Sequence, residues 1–349
     1  MPRLPEGYRL RLDPQDEYPH PPEAATTYNE SMYFNLFDPD RRIGGWFRIG
    51  NRPNEGHAEI SVCVYLPGGQ VAFTFARPAI ADNRWMKAGG LEVAVVEPFR
   101  HLRLAYEGRL LLLDDPLAMA DPRQAFAANP QVNARIDLDF HGVSPVWGGE
   151  TVRADGQPLD LDAERSFARA HYEQHVEGHG RLTIGDRIFE LRGFGLRDKS
   201  WGPRTWQAIP WYRWCPMNFG RDFAMMISIV GRDDGPPRVG GMVLNEGRYD
   251  EIVEARIDSD WDAHGYQTGL RARVATESGA AYEVEGRVLS LIPLRNRRTG
   301  PDGVERTTRI TEGFTEYRCN GRLGFGMSEY LDVLEDGWPV GPDVRRAGP

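Results

Sequence analysis

The sequence is short of cysteine, of helical periodicity, of long apolar runs and of cationic excess. Cys63, Cys215 and Cys319 are the only cysteines among 349 residues, and none stands in a CxxC pair. An odd number excludes complete internal pairing, so reduced thiols in a cytosolic protein are the simplest expectation. The N-terminal "MPRLPEGYRLRLDPQDEYPHPPEA" has no apolar h-region and does not read as a secretory signal. The longest apolar run, "FAMMISIV" at 223–230, falls well short of the roughly 20 residues needed to cross a bilayer. Lys and Arg number 42 against 51 Asp and Glu, a net charge of −9. That balance argues against nucleic acid and against an anionic membrane surface as partner. Serine nucleophile elbow, P-loop, HExxH, kinase and redox-cofactor signatures are all missing. What remains is a cytoplasmic chain expected to take a soluble substrate with little or no charge, with no cofactor, no nucleic acid and no stable membrane insertion. Its oligomeric state stays open, a homodimer included.

Glycine (39) and proline (26) are plentiful, and they punctuate short alternating runs. "MYFNLFD" (32–38), "GGWFRIGNR" (44–52), "AEISVCVYLP" (58–67) and "QVAFTFAR" (70–77) each end in turn residues. "LEVAVVEP", "HLRLAYEG" and "ARIDLDFHG" continue the series to residue 142. Period-two alternation with a turn every eight to twelve residues predicts an antiparallel meander that curls into a barrel or sandwich. "DPRQAFAANP" (121–130) reads as a short helical turn, and "LDAERSFARAHYEQ" (161–174) as a linker helix capped by Asp162. The Gly- and Pro-rich 144–160 reads as the domain linker. A second meander follows, with hairpins over 180–198, tipped by Gly185-Asp186, and over 223–247. The expected organisation is therefore all-β, with one domain over 1–150 and another over 165–349, the second carrying the DKSWG stretch.

Four stretches carry candidate chemistry. "HYEQHVEGHG" places His171, His175 and His179 at a spacing that suits metal ligands on a helix, but Gly178 and Gly180 would break that helix. If the stretch is extended, His171, Glu173, His175, Glu177 and His179 face one way and either meet solvent or line a polar pocket. No second ligand cluster supports a metal. "GFGLRDKSWGPRTW" (193–206) sets Asp198 and Lys199 beside tryptophans. The two are either an exposed ion pair or a carboxyl enclosed by Trp201, Trp206 and Trp211, where burial would make it a usable general acid. Gly193 and Gly195 share a strand face, so the strand bends there or something bulky crosses it. "WQAIPWYRWCP" adds Tyr212 and Trp214, with Arg204 and Arg213 nearby, as core or as the wall of an apolar pocket. "GRLGFGMSEYLD" (321–332) echoes the earlier block and offers Glu329 and Tyr330.

Those blocks carry a family resemblance. "GFGLRDKSWGPR", "YEQ" (172–174) and "GFGMSE" (324–329) are similar in order and kind to motifs of the two-domain lipocalin-like (calycin-type) proteins. That group includes hydroxyneurosporene synthase, also called carotenoid 1,2-hydratase, and the AttH-like proteins. The chain departs from its pattern at Lys199, where the family carries histidine. The resemblance implies two lipocalin-like antiparallel barrels or curled sheets packed together, with a short linker helix. It also implies a cofactor-independent lyase/hydratase or isomerase working on an isoprenoid, steroid-like, polyketide or aromatic substrate. The expected catalytic groups are Asp198, Lys199, His175, Glu173 and Glu329. The expected substrate-binding groups are Trp201, Arg204, Trp206, Trp211, Tyr212, Trp214, His171 and Tyr330. Indole faces beside proton donors suit a carbocation made by protonating an olefin. The rival from another class is a lipocalin-like carrier with no catalytic residue.

Overall fold

Alternating runs become strands almost throughout. The computed structural model describes residue 4 and residues 6–162, 167–205, 209–232, 235–299 and 304–344. The first series is β1 (Tyr8–Arg11), β2 (Tyr28–Asp38), β3 (Ile43–Arg52), β4 (His57–Tyr65), β5 (Val71–Ala76), β6 (Lys87–Ala88), β7 (Leu91–Glu97) and β8 (His101–Leu113). It continues after α1 (Pro122–Ala128) with β9 (Gln131–Gly142), β10 (Trp147–Arg153), β11 (Ala170–Ile184) and β12 (Arg187–Pro203). The second series is β13 (Trp211–Asn218), β14 (Phe223–Val230), β15 (Arg238–Asn245), β16 (Arg248–Trp261), β17 (Gln267–Thr276), β18 (Ala281–Thr299), β19 (Glu305–Cys319), β20 (Arg322–Glu335) and β21 (Trp338–Pro339).

Each series closes on itself. In the first, β2, β3, β4, β5, β8, β9, β11 and β12 pair in turn, and β12 returns to β2. In the second, β13 to β20 pair in chain order, and β20 returns to β13. Both are eight-stranded antiparallel barrels, the size at which side chains fill the interior. Met32, Phe34, Leu36, Phe47 and Val176 belong to the first core. Cys215, Met217, Met225, Leu270 and Tyr317 belong to the second. No helix among the described residues is long and apolar enough to cross a membrane.

The two glycine pairs have one role in both barrels. A Cβ on Gly193 or Gly195 would collide with the carbonyl oxygens of Phe37 and Asn35 on β2. On Gly324 or Gly326 it would collide with those of Asn218 and Pro216 on β13. The bulky neighbour that the spacing anticipated is thus the backbone of each barrel's first strand, drawn close where the ring closes.

Three sequence expectations change. Ala170–Ile184 is strand, so the linker helix expected over 161–174 is not formed there; residues 163–166 lie outside the described residues. The segment is pinned along both edges, by β12 on one side and by β10 and β9 on the other, and this pairing outweighs its helix formers. The expected linker at 144–160 contains β10, paired to β1 and β11. Its Gly148 and Gly149 have φ of 113° and 138°, and a side chain there would strike the His171 and Arg11 carbonyls. Consequently the chain divides elsewhere than between 150 and 165. One unit takes the described parts of Met1–Pro67, Val71–Leu112 and Pro130–Ala208, and the other Gly68–Gln70, Leu113–Asn129 and Ile209–Pro349. The DKSWG stretch, on β12, therefore belongs to the first barrel. The hairpin of β11 and β12 does turn at Gly185-Asp186 as expected, Gly185 having φ of 57°.

Candidate functional site

Successive residues of a strand point to opposite faces, and the hairpin of β11 and β12 sorts the candidates accordingly. Tyr172 lies opposite Lys199 and Gln174 opposite Arg197, and these pair onward with Met32 and Phe34, so they face the barrel interior. His171, Glu173 and His175 alternate with them and, with Asp198 and Ser200, take the outer face. Asp198 and Lys199, adjacent in sequence, thus part company and cannot act as one acid–base pair.

On the inner face Lys199 is an anchor. Its Nζ donates to the Asp16 carbonyl at 2.7 Å, the Tyr18 carbonyl at 2.8 Å and Glu30 Oε1 at 2.7 Å, which uses all three ammonium hydrogens. Desolvation lowers its pKa, and the Glu30 carboxylate works against that fall. Glu30 in turn accepts from the His20 backbone N–H, the His20 ring, Tyr28 Oη and Asn83 Nδ2. Burial raises the Glu30 pKa, but hydrogen bonds and charge from His20 and Lys199 outweigh it and hold the carboxyl low. Trp201, expected as a pocket wall, stacks on the His20 ring with centroids 4.1 Å apart. Glu17 accepts from both Nη atoms of Arg197 and from Tyr172 Oη. This N-terminal strap, stiffened by Pro19, Pro21 and Pro22, is what the inner polar groups hold. Sequence reading missed Glu17, His20 and Glu30; the proline-rich, acid-rich segment was the available signal.

The outer face gathers the other expected groups. Glu173 and Asp198 lie opposite one another across β11 and β12. His171 Nε2 stands 3.9 Å from Glu173 Oε1 and 3.9 Å from Asp198 Oδ2. Glu173 is buried, whereas the His171 side chain keeps 43% of its surface in contact with solvent. Desolvation pulls the His171 pKa down, but the neighbouring Asp198 and Glu173 carboxylates prevail and raise it. Arg204 is buried and donates to Ser200 Oγ at 2.6 Å, and Ser200 Oγ meets Ser31 Oγ at 3.0 Å. His175 is fully buried, and its backbone N–H donates to Ser144 Oγ at 3.1 Å. Trp147, which sequence reading missed, lies opposite Glu173 on β10, and its buried Nε1–H has no hydrogen-bond partner among the described residues. The histidine spacing does not gather metal ligands, since residues four apart on a strand are about 13 Å apart. Among the described residues no three His, Cys, Asp or Glu side chains are grouped to hold a metal ion.

The remaining candidates belong to the second barrel, and Trp206 lies outside the described residues. Glu329 lies opposite Trp214, and Tyr212 Oη donates to it. Arg213, Tyr330 and Trp211 take the other face of this strand pair, toward the interior. Arg213 is clamped between Asp332 and Asp343, with its guanidinium 4.3 Å from the Tyr330 ring centre. Tyr330 Oη meets Ser259 Oγ at 2.8 Å, so this tyrosine serves the buried network of its barrel.

Two eight-stranded up-and-down barrels in one chain define a protein of the two-domain lipocalin-like class. The chain belongs to the family described as "Domain of unknown function (DUF7064)", whose pattern matches residues 13–334. No curated protein matches it. Among solved structures it is similar to an AttH-like protein from Nitrosomonas europaea, with 12% identity over 97% of this chain and 99% of that one and a TM-score of 0.61. Kievitone hydratase from Nectria haematococca gives 8% identity, 93% of each chain and a TM-score of 0.55. CghA in complex with Sch210972 gives 13% identity over 88% of this chain and 89% of that one, with a TM-score of 0.51. At these identities the likeness establishes the fold.

Proposed function

We propose that the protein is a hydratase/lyase- or isomerase-type enzyme that transfers protons on an apolar small molecule, with His171, Glu173 and Asp198 as the proton-handling groups. The observation that carries this reading is the placement of a half-exposed imidazole within 3.9 Å of two carboxylates. His171, whose protonated form the two carboxylates favour, is the general acid. Asp198, with 21% of its side chain exposed, is the base that takes a proton from attacking water or from an adjacent carbon. Buried Glu173 orients the ring. An olefin protonated by His171 becomes a carbocation, and the Trp147 indole opposite Glu173 suits that charge. A hydratase among the similar folds supports the same class of reaction.

The test is incubation of the protein in D2O and in H2 18O with a panel of isoprenoid, steroid-like, polyketide and aromatic compounds, read by mass spectrometry. Hydration adds labelled oxygen, and isomerisation exchanges hydrogen for deuterium without net addition. His171→Ala and Asp198→Asn are each expected to lower turnover by about 10²- to 10⁴-fold, the usual worth of a positioned acid or base. Turnover unchanged in both variants would remove this site. Binding without turnover of any compound would favour the carrier.

A further inference from the structure

We infer that the outer wall of the first barrel holds a compact oxyanion, a carboxylate or a phosphate, on Arg52 and Asn29. On β3 and β2 these residues stand one step beyond the Asn51–Glu30 pair, toward the strand ends. Side chains alternate along a strand, so both take the face opposite to Glu30, which is the outer one. Each has only 1% of its surface exposed. Arg52 Nη1 donates to Glu55 Oε1 at 2.5 Å. Its Nε and Nη2 are buried with no hydrogen-bond partner among the described residues, and the same holds for Asn29 Nδ2. Nε and Nη2 lie along one edge of the guanidinium and offer two parallel N–H donors. That edge matches two oxygens of a single carboxylate or phosphate. Arg48 Nη2 donates to Asn29 Oδ1 at 3.5 Å, which leaves the amide hydrogens of Asn29 as further donors on the same face.

The nearest carboxylate does not satisfy Arg52. Glu59 accepts its hydrogen bonds from Arg77, at 3.0 and 3.2 Å to Oε1. Arg48 Nη1 and Arg52 Nε stop 3.7 and 3.8 Å from Glu59 Oε2, beyond hydrogen-bond reach. A buried guanidinium with two unmade hydrogen bonds is costly, and an oxyanion removes that cost by accepting both. The unpaired groups of Arg52 and Asn29 are donors only, so a metal cation does not suit them. Glu55, and His57 opposite Arg52 on β4, keep 28% and 22% of their side chains exposed. The donors therefore lie about one side chain below solvent. None of these residues belongs to the His171, Glu173 and Asp198 group, so the site does not rest on the catalytic reading.

The experiment is thermal unfolding of the full chain in rising sodium phosphate or sodium acetate, with sodium chloride holding ionic strength constant. Binding to the folded state raises the melting temperature with a curve that gives an apparent affinity. Exclusion of salt from the protein surface instead raises it in proportion to concentration, in every variant alike. A larger effect of phosphate marks an inorganic-type anion as the occupant, and a larger effect of acetate marks the carboxylate of an organic molecule. Arg52→Lys keeps the charge but loses the two-donor edge, and it should weaken the apparent affinity about tenfold or more. Asn29→Ala should weaken it in the same direction, and it decides alone if Arg52→Lys does not fold by circular dichroism. His171→Ala should leave the effect unchanged. A response proportional to concentration, or one equal in the parent chain and the folded variants, would overturn the site.

Discussion

Glu17 and Arg197, 180 residues apart in sequence, meet through two parallel hydrogen bonds of 2.7 and 2.9 Å, with both side chains buried. This bidentate pair fastens the N-terminal strap across the interior of the first barrel. Removing one partner leaves the other charged and desolvated, a loss of about 3–5 kcal/mol. Glu17→Gln and Arg197→Met should each lower unfolding free energy on that scale in urea titrations. The double variant Glu17→Leu/Arg197→Met should recover part of it. Additive losses would show that the pair is not coupled.

Closure of both barrels depends on glycine. Gly195→Ala and Gly326→Ala push a methyl group into a backbone carbonyl that has no rotamer to change. Each should cost about 1–3 kcal/mol, the range for overpacking. Gly240→Ala, where a Cβ meets nothing within 4 Å, is the control. Equal stability of all three variants by thermal melting would contradict this account of the glycine pairs.

Acid should loosen the first barrel at Glu30. Burial raises its pKa, but His20 and Lys199 lower it further, so the folded value lies below the unfolded one. The resulting stabilisation is complete above the unfolded value of about 4.3 and is lost as pH falls through the folded value. Glu59, surrounded by Arg48, Arg52 and Arg77, shifts in the same direction against its own desolvation. The denaturation midpoint should therefore drop as pH falls below the unfolded carboxyl value of about 4.3. Glu30→Gln should be less stable at neutral pH, with a flatter profile below that value.

The proposed general acid has its own signature. With His171 raised above its ordinary value, kcat/KM should fall as pH rises through that elevated value. Asp198→Asn removes a charge that raises it, while desolvation remains. The alkaline limb should then move to lower pH. A limb that stays in place assigns the titration to another group.

The thiols should be silent. Cys63, Cys215 and Cys319 are all buried, and none is in a disulfide among the described residues. Burial pushes the Cys215 thiol up to about 12 and the Cys319 thiol to about 11, so little thiolate is present at neutral pH. Ellman's reagent should label none of them in the native protein and all of them in denaturant. Rapid native labelling would contradict the packing described for both cores.

Alternation and turn residues determined, from the sequence alone, the strand-rich class, the hairpin tip at Gly185-Asp186 and, for an extended segment, the common face of His171 and Glu173; the register of β11 against β12 brought Asp198 to that face. These are local consequences of a two-residue period, and a period is written in the chain itself. The period also implied that Asp198 and Lys199 point opposite ways, yet their closeness in sequence invited reading them as a pair. Tertiary structure alone decided what each face meets. Ala170–Ile184 became a strand because β9, β10 and β12 supply hydrogen-bonding edges from distant parts of the chain. Lys199 became an anchor because the strap carrying Asp16 and Tyr18 returns to it from more than 180 residues away. Propensity and periodicity act over a few residues, whereas the partner that neutralises a buried charge is chosen by how the barrel closes.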